Sequence, residues 1–177
     1  MSAPPPPIAS APPIIVEILV EAGAWPAETK LKLIASRIAD RVIYAARPNL
    51  ANDAELSIVF TDDIHIRALN RQFRNVDKAT NVLSFPSAPA STGRVGPLLG
   101  DVVLAHETIL GEAKSGDLTI EAHLAHLIVH GVLHILGYDH VEEAEALIME
   151  RLETEILDDL GIADPYCEPS REIQQGA

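Results

Sequence analysis

Cysteine is almost missing from this chain: the only one, Cys167, lies close to the C-terminus. One thiol cannot close an intrachain disulfide, so no covalent framework supports the fold, and a reducing compartment is the simpler expectation. Long apolar runs are missing too. Nothing approaches the ~18 uninterrupted apolar residues that a membrane-spanning helix needs. No basic stretch leads into an apolar one at the N-terminus, which argues against a secretory signal. Together these absences predict a cytoplasmic protein with no membrane partner. Positive charge is scarce as well. There are 13 Lys and Arg against 26 Asp and Glu, a net charge of −13. Phosphate binders usually carry a basic footprint, so a nucleic-acid reading must rest on a local basic patch.

What is present fits one domain. The chain has 177 residues and is 47% hydrophobic, enough for a real core. Residues 1–13 are proline-rich and uncharged, which predicts a disordered leader. Residues 164–177 are polar and predict a flexible tail, leaving a folded domain over 14–163. Within it, β-branched and alternating patterns predict strands at 14–20, 56–61, 81–85 and 100–105. Apolar residues at helical spacing predict helices at about 30–46, 63–74, 106–115, 119–136 and 142–160. Asp62 or Asp63 is placed to cap the second helix, and Gly116, Gly137 and Gly161 stand where helices should end. The expected fold is α+β: a small, roughly four-stranded mixed sheet covered by about five helices.

The chemistry concentrates in His126-Leu-Ile-Val-His130-Gly-Val-Leu-His134-Ile-Leu-Gly137-Tyr-Asp-His140. His130 and His134 are one helical turn apart on one face, so both imidazoles can reach one ion at ~2.0–2.1 Å. Gly137 can adopt a left-handed conformation, end the helix and return His140 to the same ion. Three neutral imidazoles suit zinc and tolerate nickel, copper or iron. Structural zinc normally has four protein ligands, commonly including cysteine, so three ligands and an open position favour catalysis. Asp139 is a candidate fourth ligand, or a carboxylate that orients a ligand histidine. The spacing matches the zinc-peptidase pattern H-E-x-x-H-x-x-G-x-x-H, except that Gly131 replaces the general-base glutamate. That disfavours a peptidase, and the glycine is expected to leave open space beside the metal for a large substrate. His126 and His123 read mainly as core or supporting histidines, with a smaller share given to catalysis or RNA contact.

A second cluster lies on helix 63–74. Ile66, Leu69 and Phe73 form its expected apolar stripe, with Arg67, Asn70, Arg71 and Arg74 opposite and Lys78 in the next loop. Here is a local basic patch, although an ordinary solvated face is the blander account of Arg67 and Arg71.

Four blocks together become recognisable: Leu69-Asn-Arg-Gln-Phe-Arg74, Thr80-Asn-Val-Leu-Ser-Phe-Pro86, Leu99-Gly-Asp-Val-Val103 and His130 through His140. In order and spacing, about residues 50–165 resemble the YbeY family, bacterial single-strand-specific endoribonucleases of ribosomal RNA maturation and ribosome quality control. The resemblance implies one zinc held by His130, His134 and His140, and an essential arginine at Arg74. Arg74 and His130 are therefore the candidate catalytic residues. Asn81 stands where the family often has aspartate and receives no role. The implied partner is single-stranded ribosomal RNA, not DNA. Docking on small-subunit ribosomal proteins or an assembly GTPase would explain how an acidic protein finds an acidic substrate. The alternatives are a non-catalytic ribosome-assembly factor with a structural zinc and, more distantly, a zinc peptidase.

Overall fold

The computed structural model describes residues 13–87 and 94–162. The expected leader (apart from Pro13), residues 88–93 of the third loop, and the expected tail lie outside the described residues. The chain runs β1 (Ile15–Val20), α1 (Glu28–Ala46), β2 (Glu55–Thr61), α2 (Asp63–Arg74), β3 (Val82–Pro86), β4 (Leu98–Ala105), α3 (His106–Ser115), α4 (Ile120–Ile135) and α5 (Glu143–Asp159). This is the expected α+β domain, with four strands and five helices among the described residues. No single helix there is long and apolar enough to cross a membrane.

The four strands form one mixed sheet in the order β1-β2-β4-β3. β1 and β4 run parallel to β2, while β3 runs antiparallel to β4 and forms an edge. Strand alternation then sorts the side chains onto two faces. Val16, Leu56, Ile58, Phe60, Val102 and Leu104 enter the main core, with the inner faces of α1, α4 and α5. Leu83, Val103 and Ala105 point the other way, where Ile66 of α2 completes a smaller core. The sheet therefore separates α4 from α2.

α2 starts at Asp62, whose Oδ1 accepts from the His65 backbone N–H at 2.9 Å, a side-chain N-cap. Asp63 does something else. Its Oδ1 accepts from the backbone N–H and hydroxyl of Thr108 in the first turn of α3, at 3.1 and 2.7 Å. In return, Glu107 of α3 accepts from the Asp63 N–H at 3.0 Å. The first turns of α2 and α3 thus cap each other.

The α2 faces differ from the expected pattern. Asn70 does not join the arginines: it is buried, and its side-chain amide donates to the Lys78 carbonyl at 2.8 Å. A buried amide has to be satisfied, and this bond ties the 75–81 loop to the helix. Phe73 remains 59% exposed, in edge contact with Phe85 at the rim of the smaller core. Arg67 grips Asp77 through two bonds of 2.7 and 3.1 Å. The basic patch therefore shrinks to Arg71, Arg74 and Lys78.

Candidate metal centre

α4 begins at Thr119, whose hydroxyl accepts from the Ala122 N–H at 3.1 Å. Its core face is nearly continuous: Leu124, Ile128, Val132 and Ile135 are all buried. The histidines at 123, 126, 130 and 134 form the adjoining stripe. Gly131 brings the helix close to the sheet. A Cβ there would lie 2.7 Å from Val102 Cγ1 and 3.3 Å from Ser84 Oγ. The Ser84 hydroxyl already donates to the Gly131 carbonyl at 3.0 Å. The expectation of open space at this glycine is thus corrected: position 131 faces the sheet, and hydrogen suffices because α4 packs there at close range.

The helix then ends as a turn rather than by fraying. The Gly137 and Tyr138 N–H groups donate back to the His134 and Leu133 carbonyls, at 3.0 and 3.1 Å. Gly137 takes φ +92°, a value that favours glycine. The chain reverses and delivers His140, whose backbone N–H donates to Asp139 Oδ1 at 2.7 Å. Asp139 therefore orders the turn through the backbone rather than through an imidazole ring.

The three expected histidines come together. Ring centroids of His130 and His134 lie 4.6 Å apart, and those of His140 lie 5.7 and 5.1 Å from them. One nitrogen from each ring falls within 4.8 Å of the other two. The Nε2 atoms of His130 and His134 face each other at 3.1 Å. Two ligands of a tetrahedral ion at ~2.0–2.1 Å stand about 3.3 Å apart, so this donor set fits a metal ion such as zinc. Burial, then the neighbouring His130 and His140 charges, lowers the His134 pKa from its ordinary 6.5. Both effects favour the neutral ring that a metal requires.

Sequence reasoning missed Glu153. This α5 carboxylate is fully buried, with Oε1 2.7 Å from His130 Nδ1 and Oε2 3.7 Å from His126 Nε2. His126, His130 and Glu153 form a second group able to hold a metal ion. The available signal was an acidic residue on the inner line Met149-Glu153-Ile156, all buried. His123 turns elsewhere. Its Nε2 lies 2.8 Å from Glu112 of α3, which also accepts from the Asn81 side-chain amide at 2.9 Å.

Arg74 is not gathered into this group. It ends α2, exposed, and α2 packs on the sheet face opposite α4. Among the described residues, its side chain makes no hydrogen bond or ion pair.

The pattern of the family Endoribonuclease YbeY matches residues 25–161. The Endoribonuclease YbeY of Rhizobium meliloti is 52% identical over 157 residues, covering 85% of this chain and 94% of that protein. The Sinorhizobium medicae protein of the same name is 50% identical over the same shares. The solution structure of TM1509 from Thermotoga maritima matches with a TM-score of 0.51 at 20% identity, covering 88% of this chain and 99% of that one, and so shares its fold. On the family match and these identities, the chain belongs to the YbeY endoribonuclease family.

Proposed function

We propose that this protein is a zinc-dependent, single-strand-specific endoribonuclease of ribosomal RNA 3′-end maturation and ribosome quality control, acting in the cytoplasm. The observation that carries the reading is the convergence of three imidazole nitrogens at the end of α4 in a member of this family. The activity belongs to residues 14–163. His130, His134 and His140 would hold one zinc. When bound, the ion supplies Lewis acidity towards a phosphoryl oxygen and acidifies water beside it.

The chain's own residues would do the rest. The turn at Gly137 presents His140 to the other two rings. Arg74, with no carboxylate partner among the described residues, suits a scissile or neighbouring phosphate, which its planar guanidinium can grip with two bonds. Arg71 and Lys78 extend the same positive surface. Beside α2, a groove of about 560 Å³ has an apolar floor of Val59, Leu69, Phe73, Phe85 and Val103, with Glu21, His65 and Asp101 also lining it. Its exposed aromatic edge offers unpaired bases a place to stack, and a duplex keeps its bases inside. Ribosomal small-subunit proteins or an assembly GTPase would bring this acidic chain to its acidic substrate.

A peptidase is disfavoured on packing grounds. The position of the catalytic glutamate faces the sheet, where even a Cβ collides with Val102. The deciding experiment pairs elemental analysis with cleavage of single-stranded RNA, duplex RNA and casein, with and without chelator. The expected result is about one zinc per chain and chelator-sensitive cleavage of single-stranded RNA alone. Replacing His130 and His134 together by alanine should abolish both. Zinc bound without RNA cleavage would favour the assembly-factor reading, and casein cleavage would revive the peptidase.

A further inference from the structure

Glu153 calls for an explanation of its own. Burying a carboxylate is costly unless hydrogen bonds and charge partners compensate it. α5 could have placed a leucine at this position, in line with Met149 and Ile156. Instead the carboxylate stands between two imidazoles of α4, with Oε1 toward His130 and Oε2 toward His126. One account is a second metal held by His126, His130 and Glu153. The 2.7 Å separation of His130 Nδ1 and Glu153 Oε1 argues against it. That distance is a charge-assisted hydrogen bond, whereas two ligands of one zinc stand about 3.3 Å apart.

We propose that Glu153 is a positioning residue: its carboxylate accepts the Nδ1 proton of His130 and so directs the Nε2 lone pair of that ring toward His134 and His140. The inference deepens the metal reading above and rests on it. A carboxylate can only accept, so the proton belongs to Nδ1 and the ring is left with one free donor atom, Nε2. That is the atom which faces His134 Nε2 at 3.1 Å. The other tautomer would put a proton where the ion must bind. The same bond fixes the ring plane, because Nδ1 is tied to a side chain that is itself buried in the core. It also anchors α5 to α4. The turn carrying His140 joins these two helices, so a single contact sets the orientation of one ligand and the tether of another.

The test uses the full-length chain. Long-range proton–nitrogen spectra of the metal-free protein at pH about 8, where ordinary histidines are neutral, read the tautomer of each ring directly. His130 is expected as the Nδ1–H form. In Glu153→Gln the amide can accept through oxygen or donate through nitrogen, so the His130 signal should become a mixture. Zinc affinity, read by chelator competition, should fall about 10–100-fold, the usual effect of losing such a partner. Glu153→Asp keeps the charge but withdraws the oxygen, and should fall between the two. Thermal melts of the three metal-free proteins separate this from a general loss of fold. An Nε2–H tautomer at His130 in the wild type overturns the proposal. So does a Glu153→Gln affinity within about twofold of wild type. Two zinc ions per wild-type chain and one in the variant would overturn it in favour of the second metal site. If Glu153→Gln fails to fold, the wild-type spectrum and the Asp variant still decide. A wild-type chain that binds no zinc overturns the metal reading instead, and the spectrum alone then upholds or rejects the tautomer assignment.

Discussion

The two faces of the sheet are built differently. On one, α4 lies so close that only glycine fits at position 131, and its histidines are held by a buried carboxylate, a capped turn and the main core. On the other, α2 sets Ile66 against three buried sheet residues, Leu83, Val103 and Ala105, and turns its arginines to solvent. The first arrangement suits a small ion, whose ligands must be placed to a few tenths of an ångström. The second suits a long, flexible polyanion, for which charge matters more than exact placement. Under the proposed function the contrast amounts to a division of labour: packing would set affinity for metal, and exposed charge would set affinity for RNA.

Arg74→Ala tests that division most severely. If the exposed arginine clamps a phosphate, cleavage of single-stranded RNA should fall ~10²–10³-fold, as when one preorganised electrostatic group is deleted. Zinc content and melting temperature should not move, because no intramolecular partner among the described residues is lost. Arg74→Lys should recover only part of the rate, since an ammonium keeps the charge and loses the fork. Unchanged cleavage in Arg74→Ala would reduce the α2 face to a solvated surface.

On the packed face, Gly131→Ala should act in the opposite way. The added methyl meets Val102 Cγ1 at 2.7 Å, so α4 or the strand must shift. Overpacking of this kind costs ~1–3 kcal/mol, read in a denaturant melt, and the displaced helix should also bind zinc less tightly. A variant as stable as wild type would mean that the contact yields, and that the height of α4 over the sheet is not fixed.

The smallest effect belongs to the entrance of α2. Hydrogen bonds from the His65 backbone and ring hold the Asp62 carboxyl below its ordinary 3.8. Asp62 holds the His65 imidazole above its ordinary 6.5. The Asp62 contribution is complete above 3.8 and disappears as pH falls through its lower folded value. The His65 contribution is complete below 6.5 and disappears as pH rises through its higher folded value. Both are therefore whole between pH 3.8 and 6.5. Amide exchange in the first turn of α2 should be slowest in that window, by a small factor because the pair is exposed. A flat profile would show that the cap works through geometry alone.

Much of this molecule is legible in its sequence because the signals are local. Asp62 announces a helix start, Gly137 a helix end, and the spacing of His130, His134 and His140 follows from 3.6 residues per turn plus one reversal. The parts that escape reading depend on chain segments far apart. Nothing near Glu153 distinguishes it from the other acidic residues of α5, and Leu147 and Ile148, 62% and 55% exposed, blur the apolar stripe that would have marked its face. Arg67 resembles its neighbours until Asp77 folds back onto it. Asn70 looks like surface until Lys78 offers its carbonyl. The glycine at 131 reads as empty space because only the folded sheet supplies Val102. The insertion of β4 between β2 and β3 is likewise invisible to periodicity, which sets faces but not neighbours.

The mutual capping of α2 and α3 has a mechanical consequence. Each helix leaves its first amide groups without partners, and here each supplies the carboxylate that satisfies the other. Fraying of either end would therefore also cost its neighbour an acceptor, beyond the cap that Asp62 gives α2. The entrances of α2 and α3 are thereby held to one another. α3 in turn, through Glu112 and His123, is fastened to the helix that carries His130 and His134.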